Sequence, residues 1–393
     1  MAQLIPLKVK KPQLEVADIL RHHIEEYRKS HILSPQHRKI VSDLICCRTA
    51  YLGGHIHRCS HCGAQRITYH SCRNRHCPKC QHIPRERWLE ARKEELLPTE
   101  YFHIVFTLPH ELNAIVCNNK AVMLNILFKS VSQTLLCFGQ NELGGKLGFI
   151  AILHTWDQRL KTHFHLHCLV AGGAVSTDGT RWIPCRHSYL FNHEALSRVF
   201  RGKFMEHMRD IFQGGKLHFT GNYPQLKERL YHKSWVVSVR EPIKSPEQVL
   251  EYLARYTHRV AIANSRLLAI KDGTVTFKYK NRQRNQMNQE IISAVDFIRR
   301  FLLHSLPQGF VRIRHFGFLA NRNRMDNLTK IQQLMGLAAQ AQQHRASLEE
   351  MMLKLTGIDI TLCPCCKKGK MRLVAEIPKY ASRPPNLRAC SLA

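Results

Sequence analysis

Two closely spaced pairs of cysteines constrain the N-terminal part of this chain more than any other feature. Each pair has the form Cys-x-x-Cys, and 14 residues lie between the pairs, whose members are Cys59, Cys62, Cys77 and Cys80. A tight turn of this form presents two thiolates, and two such turns complete the tetrahedral ligand set of a structural zinc ion. The spacing therefore predicts a small zinc-binding module with these four ligands.

Other cysteines and histidines offer further zinc ligands at irregular spacing. A second zinc site therefore stays open as an alternative, with the candidate ligands Cys47, His55, Cys72 and His76. Near the end of the chain, Cys363, Cys365 and Cys366 form half of such a site. Because so few thiols cannot complete a tetrahedral site, Cys390, the N-terminal module or a partner chain has to contribute; otherwise these thiols are unliganded.

The charge of the chain indicates a polyanionic partner. Lys and Arg number 59 and Asp and Glu 29, which gives a formal net charge of +30. A protein rarely carries this much self-repulsion without a partner that neutralises it. Nucleic acid is therefore the expected partner, and an acidic membrane surface is the alternative.

Length and hydropathy patterning narrow the class of protein. The 393 residues exceed the usual size of one domain, and a hydrophobic fraction of 44% excludes a disordered basic tail protein. No apolar run approaches the roughly 18 to 20 residues of a membrane span, and the first residues lack the apolar core of a signal peptide. We therefore expect a cytoplasmic protein, in which the fifteen cysteines are metal ligands or buried thiols and not disulfides.

Three histidines alternate with apolar residues in the run 163–170. This alternation predicts a strand in which His163, His165 and His167 share one face. Neighbouring residues on one face stand about 6 to 7 Å apart, so two imidazoles can converge on one divalent ion. A single histidine in a strand is usually a core residue, but three in strict alternation in a basic protein favour a metal site.

A second motif is a helix that carries two tyrosines. Ser245 is a predicted N-cap, followed by Pro246 in the first turn and by Gln248 at the capping-box position. Tyr252 and Tyr256 are four residues apart, so they lie one above the other on the helix. Taken alone, they fit two amphipathic residues at the edge of a core, but the histidine strand makes a catalytic pair the stronger interpretation.

Together these motifs resemble the two-tyrosine HUH rolling-circle transposases of bacterial insertion sequences. The resemblance covers nearly the whole chain and includes the segments 71–81, 106–109, 156–170, 252–256 and 297–320. It implies an α+β fold, in which an HUH-type antiparallel sheet flanked by helices follows a small zinc-binding module and precedes a basic, partly helical tail. The corresponding segments are 1–98, 99–325 and 326–393.

The resemblance also implies the reaction and its nucleophiles. Tyr252 or Tyr256 attacks a DNA phosphodiester, a 3′-hydroxyl leaves, and a 5′-phosphotyrosine link forms. Because that link retains the energy of the phosphoester, no nucleotide cofactor is expected. Two nucleophiles permit two consecutive cleavages and strand transfers, as rolling-circle transposition requires, and the sequence does not say which tyrosine acts first.

In this family pattern the metal-binding pair corresponds to His165 and His167. The ion is Mg²⁺ or Mn²⁺, of which Mn²⁺ suits imidazole ligands better. A third ligand is expected from a neighbouring strand or helix. We predict Gln158 for that position, seven residues before His165, with Asp157 as the alternative.

Basic residues form two blocks on either side of these motifs. Ten basic and two acidic residues lie between positions 48 and 93, and the same numbers lie between 278 and 325. Arginines among aromatic residues suit single-stranded DNA, whose affinity for the protein then falls with salt. We expect the DNA of the element ends and of the target to contact Arg255, Arg259, Arg299, Arg300, Arg312 and Arg314.

Two other functions stay open. The first is a non-catalytic, zinc-dependent DNA-binding protein in which the histidines and tyrosines are structural, and the second is a plasmid rolling-circle replication initiator. A nuclease with three acidic metal ligands is disfavoured, because only nine of the 142 residues from 99 to 240 are acidic. The favoured function is a metal-dependent tyrosine endonuclease and strand transferase without a membrane partner.

Overall fold

The computed structural model describes residues 14–185, 190–281, 284–337 and 346–380. Within these ranges the chain forms the helices α1 (Val16–Ser30), α2 (Pro35–Cys46), α3 (His82–Lys93), α4 (Asn113–Asn118), α5 (Lys120–Leu143), α6 (His193–Gln213), α7 (Tyr223–Tyr231), α8 (Pro246–Tyr256), α9 (Ala294–Leu303), α10 (Arg324–Leu334) and α11 (Leu348–Thr356). The strands are β1 (Gly54–Cys59), β2 (Gln65–Tyr69), β3 (Tyr101–Thr107), β4 (Gly145–Trp156), β5 (Thr162–Ser176), β6 (Trp182–Pro184), β7 (Val237–Val239), β8 (Leu267–Lys271), β9 (Thr274–Asn281), β10 (Gln286–Ser293), β11 (Ile313–Gly317) and β12 (Met371–Ile377).

The chain divides into two compact units whose segments alternate along the sequence. Unit 1 comprises 1–84, 260–302 and 343–393, and unit 2 comprises 85–259 and 303–342. The sequence analysis had instead divided the chain into three consecutive segments. Each unit has its own sheets, so the fold of each follows from its own residues.

Unit 2 is built on one antiparallel sheet with the strand order β11-β4-β5-β3-β7, and β6 pairs with β5. Helices α4 to α7 cover one face with an apolar core. Helices α8 and α10 pack with a second apolar cluster on the other face. The predicted α+β fold with an antiparallel sheet and flanking helices is thereby confirmed.

The central strand β5 shows why its residues alternate. Phe164, Leu166 and Cys168 enter the core below α5, whereas His165 and His167 lie on the opposite face. Alternate residues of this one strand therefore contribute to a hydrophobic face and to a polar face of the sheet. Helix α5 is long and apolar enough to cross a membrane by length and composition, but 61% of its most apolar stretch is buried inside the protein.

Helix α8 begins as the sequence predicted. The hydroxyl of Ser245 accepts a hydrogen bond from the backbone N–H of Gln248 at 3.2 Å, and Pro246 occupies the first turn. Val249 and Leu253 are fully buried against the sheet. The helix ends at Tyr256, so the two tyrosines occupy its last two turns.

Unit 1 contains two three-stranded sheets, β12-β1-β2 and β10-β9-β8. In the second of these sheets, Phe277 of β9 packs on Phe297 of α9.

The described part of the C-terminal tail contains two separate helices. Helix α10 ends at Leu334, since Gly336 has the left-handed φ of +71° that stops a helix. Helix α11 is a separate element that begins behind the N-cap Ser347. Residues 338–345 and Cys390 lie outside the described residues.

Candidate active site and cysteine clusters

Three buried histidines converge on the polar face of the sheet in unit 2. His154 of β4 lies directly opposite His165 of β5 in the strand register, and His167 follows two residues later on the same face. The possible ligand atoms of all three lie within 4.8 Å of one another. The Nε2 atoms of His165 and His167 are 3.1 Å apart. Three imidazole nitrogens therefore surround one point, with the geometry of a metal site.

This arrangement favours a third ligand other than the one predicted from the sequence. Gln158 lies in the turn that joins β4 to β5, beyond the end of the strand at Trp156. Asp157, the alternative, caps the same turn, because its carboxylate accepts hydrogen bonds from the backbone N–H groups of Arg159 and Lys161 at 2.8 Å each. The residue that faces His165 across the hairpin is His154. The sequence analysis missed it because cross-strand register, and not spacing along one strand, brings it there.

Each of the three imidazoles also makes a hydrogen bond that fixes its ring. The Nδ1–H of His165 donates to the carbonyl of His163 at 2.8 Å, and Nε2–H of His154 donates to the carbonyl of Tyr256 at 2.8 Å. The Nδ1 of His167 lies 2.9 Å from Nε2 of the buried His103 on β3. A metal-binding Nε2 needs its proton on Nδ1, so in that state His167 donates and His103 accepts.

Both tyrosines of α8 lie against these histidines, but they differ in exposure. Tyr256 is half-buried, and its ring centre lies 4.1 Å from that of His167. Tyr252 is 8% exposed and packs against His103 and Tyr256, with ring centres 4.6 Å apart in each case. Its hydroxyl makes no hydrogen bond to any residue that the structure describes. Burial raises the pKa of Tyr252 well above its ordinary value, because the phenolate loses its solvation.

The donor set of the histidine cluster fits a divalent transition metal. Three imidazoles are intermediate donors that suit Mn²⁺ and its neighbours better than Mg²⁺, which prefers oxygen. The hydrogen bond of His154 through Nε2 leaves Nδ1 as its ligand atom, whereas His165 and His167 present Nε2. This mixture is sterically reasonable because His154 approaches the site from a different strand.

The predicted DNA-binding arginines lie in both units and make contacts within the protein. In unit 1, Arg299 pairs with Asp296 at 2.6 Å, and Arg300 pairs with Glu290 and Asp296 at 2.9 and 2.7 Å. Their charges are therefore already balanced by carboxylates.

In unit 2, Arg255 is exposed and pairs with Glu251 one turn earlier. Arg312 donates to the backbone carbonyl of Arg259 at 2.7 Å. Arg314 stacks on the ring of Phe128 at 4.0 Å and donates to Asn125. Contact of these arginines with DNA stays a prediction.

Eight described cysteines of unit 1 form two separate clusters of four, and the two predicted Cys-x-x-Cys pairs belong to different clusters. Cys77 and Cys80 lie with Cys47 and Cys72, and their sulfurs are 3.4 to 3.7 Å apart for the hydrogen-bonded pairs. A tetrahedral zinc ion with Zn–S bonds of about 2.3 Å requires sulfurs about 3.8 Å apart. This first cluster therefore fits zinc.

The other predicted pair belongs to a second cluster, in which Cys59 and Cys62 lie with Cys363 and Cys366. The strands β1 and β2 explain the separation, because they form a hairpin with the turn Cys59–Cys62 at one end. The chain then leaves along β2, whose five residues span about 17 Å, and reaches Cys72 at the other end. Spacing along the sequence identified the pairs but not their partners.

The possible second zinc set of the sequence analysis is also corrected. Cys47 and Cys72 belong to the first cluster, together with the second Cys-x-x-Cys pair. His55 instead packs its ring against His57 and His70 on the hairpin, and His76 is not a member of either cysteine cluster. His55 and His76 therefore lie near the cysteine clusters without belonging to them.

Comparison with known proteins identifies the family. The family described as "Transposase zinc-binding domain" matches residues 19–108, and that described as "Putative transposase" matches residues 148–326. A protein of Sinorhizobium fredii named "Putative transposase y4qJ" is 44% identical over 391 residues, which cover 94% of this chain and 97% of that protein. The chain belongs to the two-tyrosine HUH transposase family. The resemblance inferred from its motifs is confirmed, as is the N-terminal zinc-binding domain.

Two further comparisons describe more distant similarities. The transposase for insertion sequence element IS801 of Pseudomonas savastanoi is 26% identical over 368 residues, which cover 90% of this chain and 87% of that protein. A solved structure of the conjugative relaxase TrwC in complex with mutant OriT DNA aligns with 58% of this chain and 72% of its own. Its sequence identity is 13% and its TM-score 0.22, a score that does not establish a shared fold.

A matched pair of substitutions tests which residue is the third ligand of the predicted metal site. His154→Ala removes an imidazole from the cluster and is expected to raise the Mn²⁺ concentration for half-maximal metal binding at least about 100-fold. Gln158→Ala is expected to change it less than about 3-fold, since only the turn is affected. Isothermal titration with Mn²⁺ measures both. The reverse order of effects would restore Gln158 as the ligand.

The buried His103 provides a second test. His103→Phe keeps an aromatic ring in the core but removes the hydrogen bond that fixes His167. We expect Mn²⁺ to bind about 10- to 100-fold more weakly, as is usual when the partner of a metal-binding histidine is lost. Cleavage should recover at high Mn²⁺. A variant that binds Mn²⁺ as tightly as the native protein would show that the bond does not orient His167.

Proposed function

We propose that this transposase cleaves and rejoins single-stranded DNA through 5′-phosphotyrosine intermediates on Tyr252 and Tyr256. By this route it moves an insertion sequence by rolling-circle transposition. The observation that carries the proposal is the position of both tyrosines on the last two turns of α8. The ring of Tyr256 lies against His154 and His167, and the ring of Tyr252 lies against His103, which is hydrogen-bonded to His167. A pair of tyrosines that only covered the edge of the core would not require three buried imidazoles beside it whose possible ligand atoms converge to within 4.8 Å of one another.

The covalent step needs no external energy source. The oxygen of a tyrosine attacks the scissile phosphorus, the bond from phosphorus to the 3′-oxygen breaks, and the phenolic proton is exchanged overall for a proton on the leaving 3′-hydroxyl. A 3′-hydroxyl of the acceptor strand then attacks the phosphotyrosine and restores the phenol. The two reactions balance, because one phosphoester is exchanged for another at each stage.

The histidines are proposed to bind the divalent ion that assists this exchange. When bound, Mn²⁺ or Mg²⁺ neutralises charge on the scissile phosphate and polarises it. His165 and His167 are oriented by their bonds to the carbonyl of His163 and to His103. His154 has a second task, since it ties the carbonyl of Tyr256 and thereby fixes the end of α8 against the sheet.

The two tyrosines are proposed to act in a fixed order. Tyr256 is half-buried at the end of the helix and its ring lies beside His167, so a phosphate at the histidine cluster can reach its oxygen. The hydroxyl of Tyr252 is buried one turn earlier, where a DNA phosphate and its counter-charges have no access. We infer that Tyr256 makes the first cleavage and that Tyr252 acts after the end of α8 has moved.

The nuclease proposal predicts a covalent protein–DNA adduct. Single-stranded oligonucleotides of the element ends, incubated with the protein and Mn²⁺, are expected to give a species that migrates more slowly in denaturing gels. The double variant Tyr252→Phe, Tyr256→Phe should lower its yield at least about 1,000-fold, because no nucleophile remains.

The matched control is Tyr231→Phe, which changes an exposed tyrosine of α7 and should leave the yield intact. Absence of an adduct with every divalent metal would contradict the proposal. It would favour the non-catalytic, zinc-dependent DNA-binding protein instead.

The order of the tyrosines predicts different defects in the single variants. Tyr256→Phe should slow the first adduct at least about 1,000-fold. Tyr252→Phe should keep the first cleavage within about 10-fold and lose the joined product that needs a second nucleophile. Single-turnover assays that resolve adduct and joined strand measure both. If Tyr252→Phe alone abolishes the first adduct, the order is reversed.

A further inference from the structure

The second cysteine cluster joins two parts of the chain that are far apart in sequence. The sulfurs of Cys59 and Cys366 lie 3.6 Å apart and those of Cys62 and Cys363 lie 3.7 Å apart, although about 300 residues separate the members of each pair. All four cysteines are free thiols. Their sulfurs are too far apart for disulfides, whose S–S bond is about 2 Å, and close to the separation around a tetrahedral ion.

Both cysteine pairs form the same local turn. The N–H of Gly63 donates to the carbonyl of Cys59 at 3.2 Å, and the N–H of Lys367 donates to the carbonyl of Cys363 at 2.9 Å. The residue after each second cysteine has a left-handed backbone, with φ of +71° at Gly63 and +54° at Lys367. A left-handed conformation costs free energy for a lysine. In this conformation the turn brings the thiols of Cys363 and Cys366 into the cluster.

Backbone N–H groups point at the sulfurs of each turn. Cys59 accepts from the N–H groups of His61 and Cys62 at 3.3 and 3.4 Å, and Cys366 accepts from Gly369 at 3.4 Å. Such bonds favour thiolates, which are the form that binds a metal. Gly369 also permits the close approach of the two turns, because a Cβ atom there would lie 2.5 Å from the sulfur of Cys59.

Little else stabilises this part of unit 1. Strand β12 pairs with β1 along six positions, but its residues are exposed or half-buried. The local apolar cluster consists of Cys59, Ala64 and Cys363, with Cys366 and Met371 packed on it. A core of this size cannot by itself order a chain segment, and small modules of this kind depend on a metal.

We propose that Cys59, Cys62, Cys363 and Cys366 bind a second structural zinc ion, which fastens the C-terminal segment 359–377 to β1. A tetrahedral set of four thiolates is typical of redox-inactive structural zinc. Two of these ligands lie outside the matched zinc-binding domain, which ends at residue 108. The site is independent of the proposed cleavage reaction, since none of its members belongs to the histidine and tyrosine cluster.

The zinc content of the purified full-length protein tests this site. Mass spectrometry of the metals is expected to give two zinc ions per chain in the native protein and one in the double variant Cys363→Ser, Cys366→Ser. Cys365→Ser is the matched control, because this exposed neighbour lies outside the cluster and should leave two ions. One zinc ion in the native protein, two in the double variant, or iron in place of zinc would overturn the proposal.

A second measurement uses the native protein and therefore tests the site even if the double variant folds poorly. The native protein loaded with Co²⁺ should show the intense charge-transfer and visible bands of two four-thiolate sites, and Cys363→Ser, Cys366→Ser should lose about half of that absorbance. Limited proteolysis of the double variant should cut within 346–380 at least about 10-fold faster than in Cys365→Ser. Equal absorbance and equal cleavage of the two variants would show that the C-terminal turn binds no metal.

Discussion

The candidate active site depends on the register of β4 against β5. That register sets His154 opposite His165 and Ile152 opposite His167, on the face of the sheet away from α5. A slip of β5 by one residue against its neighbours would turn His165 and His167 into the apolar core and Phe164 and Leu166 toward the tyrosines. The pairing of β4 with β5 thus determines which side chains enter the apolar core and which form the histidine cluster.

Several contacts secure this register. The β4–β5 pairing is long, and β3 and β11 pair with its two outer edges, so neither strand is at the edge of the sheet. The ring of Phe318, just after β11, covers Gly148 of β4, where any Cβ would lie 2.3 Å from a ring carbon. Near the histidines, the shift between His154 and Trp156 lets β4 bend at the end of the sheet. The imidazoles therefore belong to the most strongly constrained part of unit 2.

Features that depend on residues close together in the sequence could be predicted. Alternation with period two identified β5 and its histidines, the Ser245 cap identified the start of α8, and the spacing of cysteines identified each thiol pair. The missed features all depend on which distant segments pair. His154 lies beside His165 because β4 pairs with β5 across a hairpin. Cys363 and Cys366 lie beside Cys59 and Cys62 of the N-terminal module, which is one of the three partners that the sequence left open. A single sequence contains no signal for that pairing.

The number of basic residues in a segment also does not show which of them are available to bind DNA. The two basic blocks each have a surplus of eight, yet many of their members are paired within the fold, as are Lys79 with Glu15, Arg85 with Glu86 and Arg300 with Glu290. With zinc bound as proposed, two clusters of four thiolates would lower the net charge by about four. Pairing of all 29 carboxylates would still leave the formal excess of +30. The fold therefore changes the distribution of positive potential over the surface but hardly changes the total charge. Attraction of DNA follows from the composition of the chain, whereas the position of contact depends on which basic side chains are not paired with carboxylates.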